Sequence, residues 1–225
     1  MNRNISGDNF NQIKKAFNGF YSKLFNSYSF IVTLKNMDQN GEIIKAEIPI
    51  TTRLLTKDDV SEYCKTSGEK SVKVSQRLSG GHLCWCAFHG EKLVSYVWRG
   101  VNEVWVAELK ALIRLPSGYY FAYGAFTHPD YRGLHVFGEL LSSWNIYGRE
   151  QLGFTNSFAI ISPDNVPSLK ASYATGQRRV GLIRTRLILG VPLHSVECES
   201  SSDLNLIKSH FKLNLISERL RVGEP

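Results

Sequence analysis

The sequence predicts a mixed α/β (α+β) domain, and three observations carry that expectation. β-rich runs and amphipathic helical runs alternate from Thr51 onward, Gly, Pro and Asn punctuate them, and 225 residues with 43% apolar content can bury a full core. The sheet is expected to be central, mixed and mostly antiparallel, with about seven strands and helices on both faces.

Each element follows from its local pattern. Phe10, Ile13, Phe17, Phe20, Tyr21, Leu24 and Tyr28 recur at three- and four-residue steps with Lys14, Lys15 and Lys23 between them, the pattern of an amphipathic helix docked on a core. "SYSFIVTLKNMDQNGEIIKAEIPI" holds two β-rich runs around Asn40-Gly41, which favours a β-hairpin turn. In "TTRLLTKDDVSEYC" a strand ends near Leu55, and Thr56, three residues before Asp59, is placed to cap a short helix. "HLCWCAFHGEKLVSYVWRG" reads as two strands joined at His89-Gly90-Glu91. "EVWVAELKALIRLPSGYYFAYGAF" reads as two more around Pro116-Ser117-Gly118, so consecutive antiparallel strands are expected.

The pattern then changes. "YYFAYGAFTHP" is a strand stopped by Pro129, and Gly138 to Gln151 is helical through Leu140, Leu141, Trp144, Ile146 and Tyr147. "TNSFAIIS" is a strand, Pro167 to Tyr173 a helix, "RRVGLIRTRLIL" a strand and "SDLNLIKSHF" a short helix. The end, "VGEP", has the look of a mobile tail.

Composition narrows the function classes. No run approaches ~18 consecutive apolar residues and no leader pattern opens the chain, so a soluble, unexported protein is expected. Cys64, Cys84, Cys86 and Cys198 show no disulfide-framework spacing, which suits a reducing, cytoplasmic compartment. The net charge of +7 favours a polyanionic partner. Basic runs stop at Lys14-Lys15 and Arg178-Arg179, so neither a nucleic-acid tail nor a membrane anchor is expected, and a phosphorylated small ligand gains weight. Cys84 and Cys86 with His82 and His89 are metal-ligand types, but "CWC" alternates inside an apolar strand without a paired cysteine knuckle, so no metal is expected.

The stretch "HPDYRGLHVFGELL" is a turn feeding a helix. A helix N-terminus offers unpaired N–H groups and the positive end of the dipole, which together can hold a diphosphate without a charged side chain. Downstream, Asn165 follows a strand, Ser168 lies three residues on, and Gly176 closes the helix eleven after the Asn.

Together these features resemble the acyl-CoA-dependent GNAT N-acetyltransferase superfamily. The first signature is matched by Pro129, Tyr131, Arg132, Gly133 and the Leu140-Leu141 face, the second by Asn165, Ser168 and Gly176. The resemblance covers residues 49–190, with residues 1–48 as an N-terminal helix and hairpin extension and residues 191–225 as a C-terminal extension. It implies a GNAT fold whose strand before the loop parts from its neighbour and receives the pantetheine arm of acetyl-CoA, or another acyl-CoA, on Ala125, Phe126 and Thr127. The diphosphate would meet Arg132, Gly133, Leu134, His135, Val136, Phe137 and Gly138, Asn165 would meet the pantetheine arm or the reacting thioester end, and Ser168 would belong to the cofactor site; a helix-capping Asn is the other reading of Asn165. The family favours Gly at the position of His135, Gly or Ala at that of Phe137, and an aromatic at that of Gln177. A helix start does not itself demand positive φ, so His135 is expected to be tolerated there with ordinary backbone angles, and Phe137 to pack on the core or the adenine side.

The implied chemistry is attack of a neutral amine on a thioester. An oxyanion donor is expected near Phe126. The acid is expected at Tyr173, or at Ser172, which holds the matching position. The base is expected at Glu108, on the strand preceding "YYFAYGAF", or at Tyr123 or His128 through water. The implied acceptor is a primary amine on a small molecule, and the N-terminal extension could shape the acceptor pocket or a homodimer contact. The alternative is a non-catalytic acyl-CoA-binding or structural module with a degenerate site.

Overall fold

The computed structural model describes residues 27–38 and 43–220. Its strands are β1 (Ser27–Asn36), β2 (Thr51–Leu54), β3 (Leu83–His89), β4 (Lys92–Gly100), β5 (Glu103–Val106), β6 (Ala111–Arg114), β7 (Tyr119–Thr127), β8 (Asn156–Ile161), β9 (Arg178–Ile188), β10 (Val191–Cys198), β11 (Phe211–Lys212) and β12 (Leu215–Leu220). Its helices are α1 (Val60–Ser67), α2 (Ser71–Ser79), α3 (Val136–Leu152), α4 (Val166–Ala174) and α5 (Ser201–His210). Nine strands form one sheet in the order β12-β10-β9-β1-β8-β7-β4-β3-β2, and β11, β6 and β5 form a small second sheet. Within the large sheet only β7 with β8 and β10 with β12 run parallel.

Alternation along the central strands sets the layers. On β7, Tyr120 and Ala122 join Trp85, Val97, Leu140 and Trp144 under α3, whereas Phe121 and Tyr123 face the other way. That opposite face is covered by α1 and α2, whose Tyr63 and Val74 cluster with Trp98 of β4, and by the small sheet and α5 through Val104, Ile113 and Ile207. Trp98 and Trp144 are both fully buried, one on each face, and burying a large apolar chain contributes roughly 1.5–3 kcal/mol.

Several sequence-based expectations are corrected. The hairpin around Asn40-Gly41 does not form: β1 pairs antiparallel with β8 on one side and β9 on the other, and residues 43–50 belong to no strand. Ile31, Val32, Thr33 and Lys35 of β1 are all buried, as a strand flanked on both edges requires. The alternating apolar residues of "EIIKAEIPI" pack on α3 instead, with the N–H groups of Ile44 and Ala46 donating to Ser142 Oγ (3.1 Å) and Glu139 Oε2 (2.7 Å). Of the helix expected over Phe10–Tyr28, Tyr28 lies in β1, and the residues before Ser27, like residues 39–42 and 221–225, fall outside the described residues.

Thr56 does not cap α1. The N-cap is Asp59, whose carboxylate turns back to accept from the N–H and hydroxyl of Thr56 and to pair with Arg53. The consecutive antiparallel strands hold for β3, β4 and β7, but β5 and β6 leave the sheet as a short hairpin paired with β11. The large sheet has nine strands rather than about seven because β1, β10 and β12 join it.

Candidate functional site

The site grows from a defect in the sheet. β7 and β8 pair from Tyr119 opposite Asn156 to Ala122 opposite Ala159 and no further, although β7 continues to Thr127 and β8 to Ile161. Where pairing stops, β7 bulges: Tyr123 faces Trp98 and Phe126 faces Tyr96, so Gly124 and Ala125 stand together against Val97. Gly124 has φ +58, and its missing side chain matters because a Cβ would come 3.3 Å from Trp98 Cδ1. A bulge raises local twist and swings the strand, which opens a wedge beside β8.

The chain leaves β7 through a 3₁₀ turn, Pro129–Tyr131, and enters α3 through Arg132 to His135. Arg132 Nε donates to Thr127 O at 3.1 Å, tying the turn to the end of the strand. Gly133 has φ +82 and His135 φ +58, either side of Leu134. Alternation of this kind gathers successive N–H groups into a concave donor surface, and the α3 dipole adds to it. The expectation for His135 is therefore corrected, because it adopts the left-handed region that costs a non-glycine residue about 1–2 kcal/mol. Histidine tolerates that region better than most residues. Its exposed ring reaches out to Glu47 Oε1 at 3.6 Å.

An outer cleft of about 1110 Å³ collects the backbone-binding candidates. Ala125, Phe126, Thr127, Arg132, Gly133, His135, Val136, Phe137, Gly138, Asn165 and Ser168 all line it. Leu134 does not; its side chain packs on the core beneath α3, and its carbonyl accepts from Glu47 N at 3.1 Å. Lys45, Arg132 and Lys170 also line the cleft and no Asp or Glu does, so its field favours an anion. Residues 43–45, read from the sequence as hairpin, form one wall. Gly138 lets them lie close, since a Cβ there would meet Ile44 Cγ2 at 2.6 Å.

Asn165 caps α4, its Oδ1 accepting from Ser168 N at 3.3 Å, which leaves the Nδ2 group as the part of the side chain outside that cap. Phe137 is partly buried on the core under α3 and lines both this cleft and an inner cavity of about 260 Å³ that continues through the wedge. Ser172 lies in the inner cavity. Tyr173 lines neither space and is 42% exposed, one helix position having rotated it out by ~100°. Glu108 is also misplaced by the sequence: it sits exposed in the turn between β5 and β6, in the small sheet, and touches neither space. His128 starts the 3₁₀ turn, where its Nδ1 accepts from Asp130 N.

No family model matches the sequence, and no curated protein does. Among solved structures the chain is similar to a GCN5-related glucosamine N-acetyltransferase region of a fungal multi-domain GH3 β-N-acetylglucosaminidase, with a TM-score of 0.55 and 10% identity over 78% of this chain. It spans 23% of that protein's length. It is also similar to a functionally unknown conserved protein from Staphylococcus epidermidis, with a TM-score of 0.50 and 9% identity over 84% of this chain and 70% of the other. The chain has the GNAT fold. At such identities the likeness concerns the path of the backbone, and the chemistry has to come from the residues themselves.

On this GNAT fold the residue that sequence reading undervalued is His82. It follows α2 after Gly80-Gly81, and its Nδ1 lies within hydrogen-bonding distance of the Tyr123 hydroxyl. Burial, and then the Arg77 charge, hold the imidazole below its usual pKa of 6.5, so it is neutral at neutral pH. Burial pushes the Tyr123 phenol up. Tyr123 stacks on Trp98, and Arg77, held by Glu69 through bonds of 2.7 and 2.9 Å, sits 5.7 Å over its ring. Tyr123 lines the inner cavity, and its phenol lies on the α1–α2 side of the sheet. Only the spacing of "GGHL" before an apolar strand hinted at a placed histidine.

Proposed function

We propose that this protein is an acyl-CoA-dependent N-acyltransferase that moves an acyl group, acetyl in the simplest case, from CoA to a primary amine of a small molecule by direct attack in a ternary complex. One observation carries the reading: β7 parts from β8 at a glycine bulge, directly beside the N–H-lined start of α3. A pantetheine arm can pair with the edge that β7 presents from Ala125 to Thr127, where Thr127 O already accepts from Arg132 Nε, while the diphosphate takes the N–H groups from Gly133 to Gly138.

The residues present divide the work. An N–H near Phe126 would meet the oxyanion, and an ordered donor in a dry site is the largest single contribution to such a step. His82, neutral and linked to Tyr123, would take the proton that the amine sheds, directly or through the phenol. Ser172, in the inner cavity, would stand near the departing thiolate. A non-catalytic CoA-binding module is the second reading, favoured by the absence of any carboxylate among the residues lining the two spaces.

Calorimetry with acetyl-CoA, followed by thiol release against a panel of primary amines, tests both. Binding is expected in the wild type and weaker binding in Gly133→Val, where φ +82 forbids the side chain although nothing lies within 4 Å of a Cβ. Tyr123→Phe and His82→Gln are each expected to lower kcat about 10²-fold or more with acyl-CoA affinity kept. Absence of binding heat rejects the proposal, and binding without turnover selects the second reading.

A further inference from the structure

The wall of the inner cavity carries a buried charge that the acetyl-transfer reading does not use. Arg99 lies near the end of β4 opposite Ala122 of β7, and only 1% of it is exposed. Its side chain emerges on the α3 face, with the guanidinium 5.0 Å from the Trp144 ring and 5.2 Å from that of Tyr120. Among the described residues its one hydrogen bond is from Nη1 to Trp98 O at 3.3 Å, no carboxylate pairs with it, and Nε has no partner. A buried cation without a counter-charge is costly, and arginine stays protonated, so it calls for an anion at that place. The cavity it lines supplies the room. Its volume of about 260 Å³ equals about nine water-sized groups of ~30 Å³ each, and Asn145, Thr175 and Gln177 add polar lining.

The inner cavity and the outer cleft share Ala125, Phe137, Asn165 and Ser168, so they form one continuous path. A CoA thioester entering along β7 would direct its acyl group down that path. The His82–Tyr123 pair lies on the opposite face of the sheet, so the acceptor amine would come from there and the space before Arg99 is left to the donor. We propose that the acyl group ends in a carboxylate held by Arg99, making the donor the CoA thioester of a short dicarboxylic acid, such as succinyl-CoA. This rests on the acyl-CoA reading above and specifies its donor. In the transfer the amine nitrogen forms an amide bond to the thioester carbon and the C–S bond breaks with its electron pair on sulfur. One proton leaves nitrogen for the base, and the CoA thiolate is released and takes up a proton. The distal carboxylate is unchanged throughout.

Calorimetry of the intact protein with CoA, acetyl-CoA and succinyl-CoA decides it. A carboxylate meeting a buried guanidinium is a charge-assisted pair, so succinyl-CoA is expected to bind about 10- to 100-fold more tightly than acetyl-CoA. In Arg99→Met the ratio is expected to fall to about one, and in Arg99→Lys to an intermediate value because a point charge replaces a planar fork. The wild-type comparison stands even if neither variant folds. Binding of CoA and acetyl-CoA with no preference for succinyl-CoA overturns this proposal alone. No binding of any of the three overturns it together with the acyltransferase reading.

Discussion

Replacing Gly138 by Ala tests how the cleft wall at residues 43–45 is held. Two opposed effects meet at this position. In a helix Ala is favoured over Gly by about 0.8–1 kcal/mol, less in the first turn, where Gly138 lies. Against that, the new Cβ would stand 2.6 Å from Ile44 Cγ2, 3.0 Å from its Cδ1 and 3.1 Å from its Cβ. Ordinary carbon contacts lie near 3.5–4.0 Å, and the two closest atoms belong to a β-branched side chain that cannot swing away without moving its backbone. That backbone is tied down, with Ile44 N donating to Ser142 Oγ and Ala46 N to Glu139 Oε2. Overpacking of this kind costs about 1–3 kcal/mol, so Gly138→Ala is expected to be neutral to destabilising by up to about 2 kcal/mol. In an Ile44→Ala background the two nearest atoms are gone and the helix preference prevails, so the same change becomes stabilising. Urea denaturation of the wild type, both single variants and the double variant gives the coupling, expected to be favourable by about 1–3 kcal/mol. A coupling within about 0.5 kcal/mol of zero would show that residues 43–45 do not press on α3 and would remove them from the cleft wall.

Two further outcomes follow from backbone and charge. His135→Gly relieves the left-handed φ of +58 and loses only an exposed 3.6 Å contact with Glu47, so stability is expected to rise by about 0.5–1 kcal/mol in urea denaturation; an unchanged or lower value refutes strain at this position. Lys35 is buried beside the Thr175 carbonyl, and burial first, then the Arg149 charge, lowers its pKa from 10.5 to about 8. Between those values the unfolded chain binds the proton and the folded chain does not, so stability rises with pH, by about 1 kcal/mol between pH 8 and 9. From about pH 8.5 upward the Cys198 thiol, pushed up from 9.0 to about 11 by burial, and the buried Cys84 thiol, also raised by burial, act in the opposite sense and offset part of that rise. Denaturation midpoints across pH 7.5–9 should climb more steeply, or fall less, in the wild type than in Lys35→Met, which keeps only the thiol effect; parallel profiles refute the buried charge.

The elements β3, β4, β7, α3, β8, α4 and β9 were legible because each is short, strongly patterned and bounded by turn residues. Alternation identifies a strand but not its neighbours. "SYSFIVTLKN" therefore announced β1 without revealing that it sits between β8 and β9, which only the burial of both its edges makes evident. α2 escaped notice because it holds only three apolar residues, Val72, Val74 and Leu78, of which Val74 alone is buried. The turn into α3 was legible as an N–H-rich helix start. The need for positive φ at His135 was not, because it arises from how β7, the 3₁₀ turn and α3 must connect. Glu108 was misjudged because "EVWVAELK" looks like one continuous strand and in fact turns at residues 107–110. Arg99 was invisible as a site residue because a charge at the end of an apolar run does not say whether its side chain meets water or a cavity, and His82 was weighed only as a metal-ligand type because its contact with Tyr123 is made across the sheet.

The placement of charge about the sheet constrains any chemistry more tightly than any single residue does. The start of α3, Arg132, Lys170 and Arg99 all attend spaces opening on the α3 side, and no carboxylate lines those spaces. The neutral His82 and its phenol partner lie on the other face, among Arg77, Glu69 and Trp98. Across most of its width the sheet separates these two environments with continuous hydrogen-bonded strands. Among the described residues it opens past Ala122 and Ala159, where β7 has lost β8. A polyanionic donor could bind the outer cleft without ever meeting a base, and an amine could reach His82 without meeting a donor. Only a ligand whose reactive end passes into the wedge would bring the two together, so the proposed transfer would depend on the glycine bulge at Gly124 rather than on the loop at Arg132. A loop able to bind diphosphate beside an unbroken β7–β8 pair would hold CoA and leave its thioester on the wrong side of the sheet.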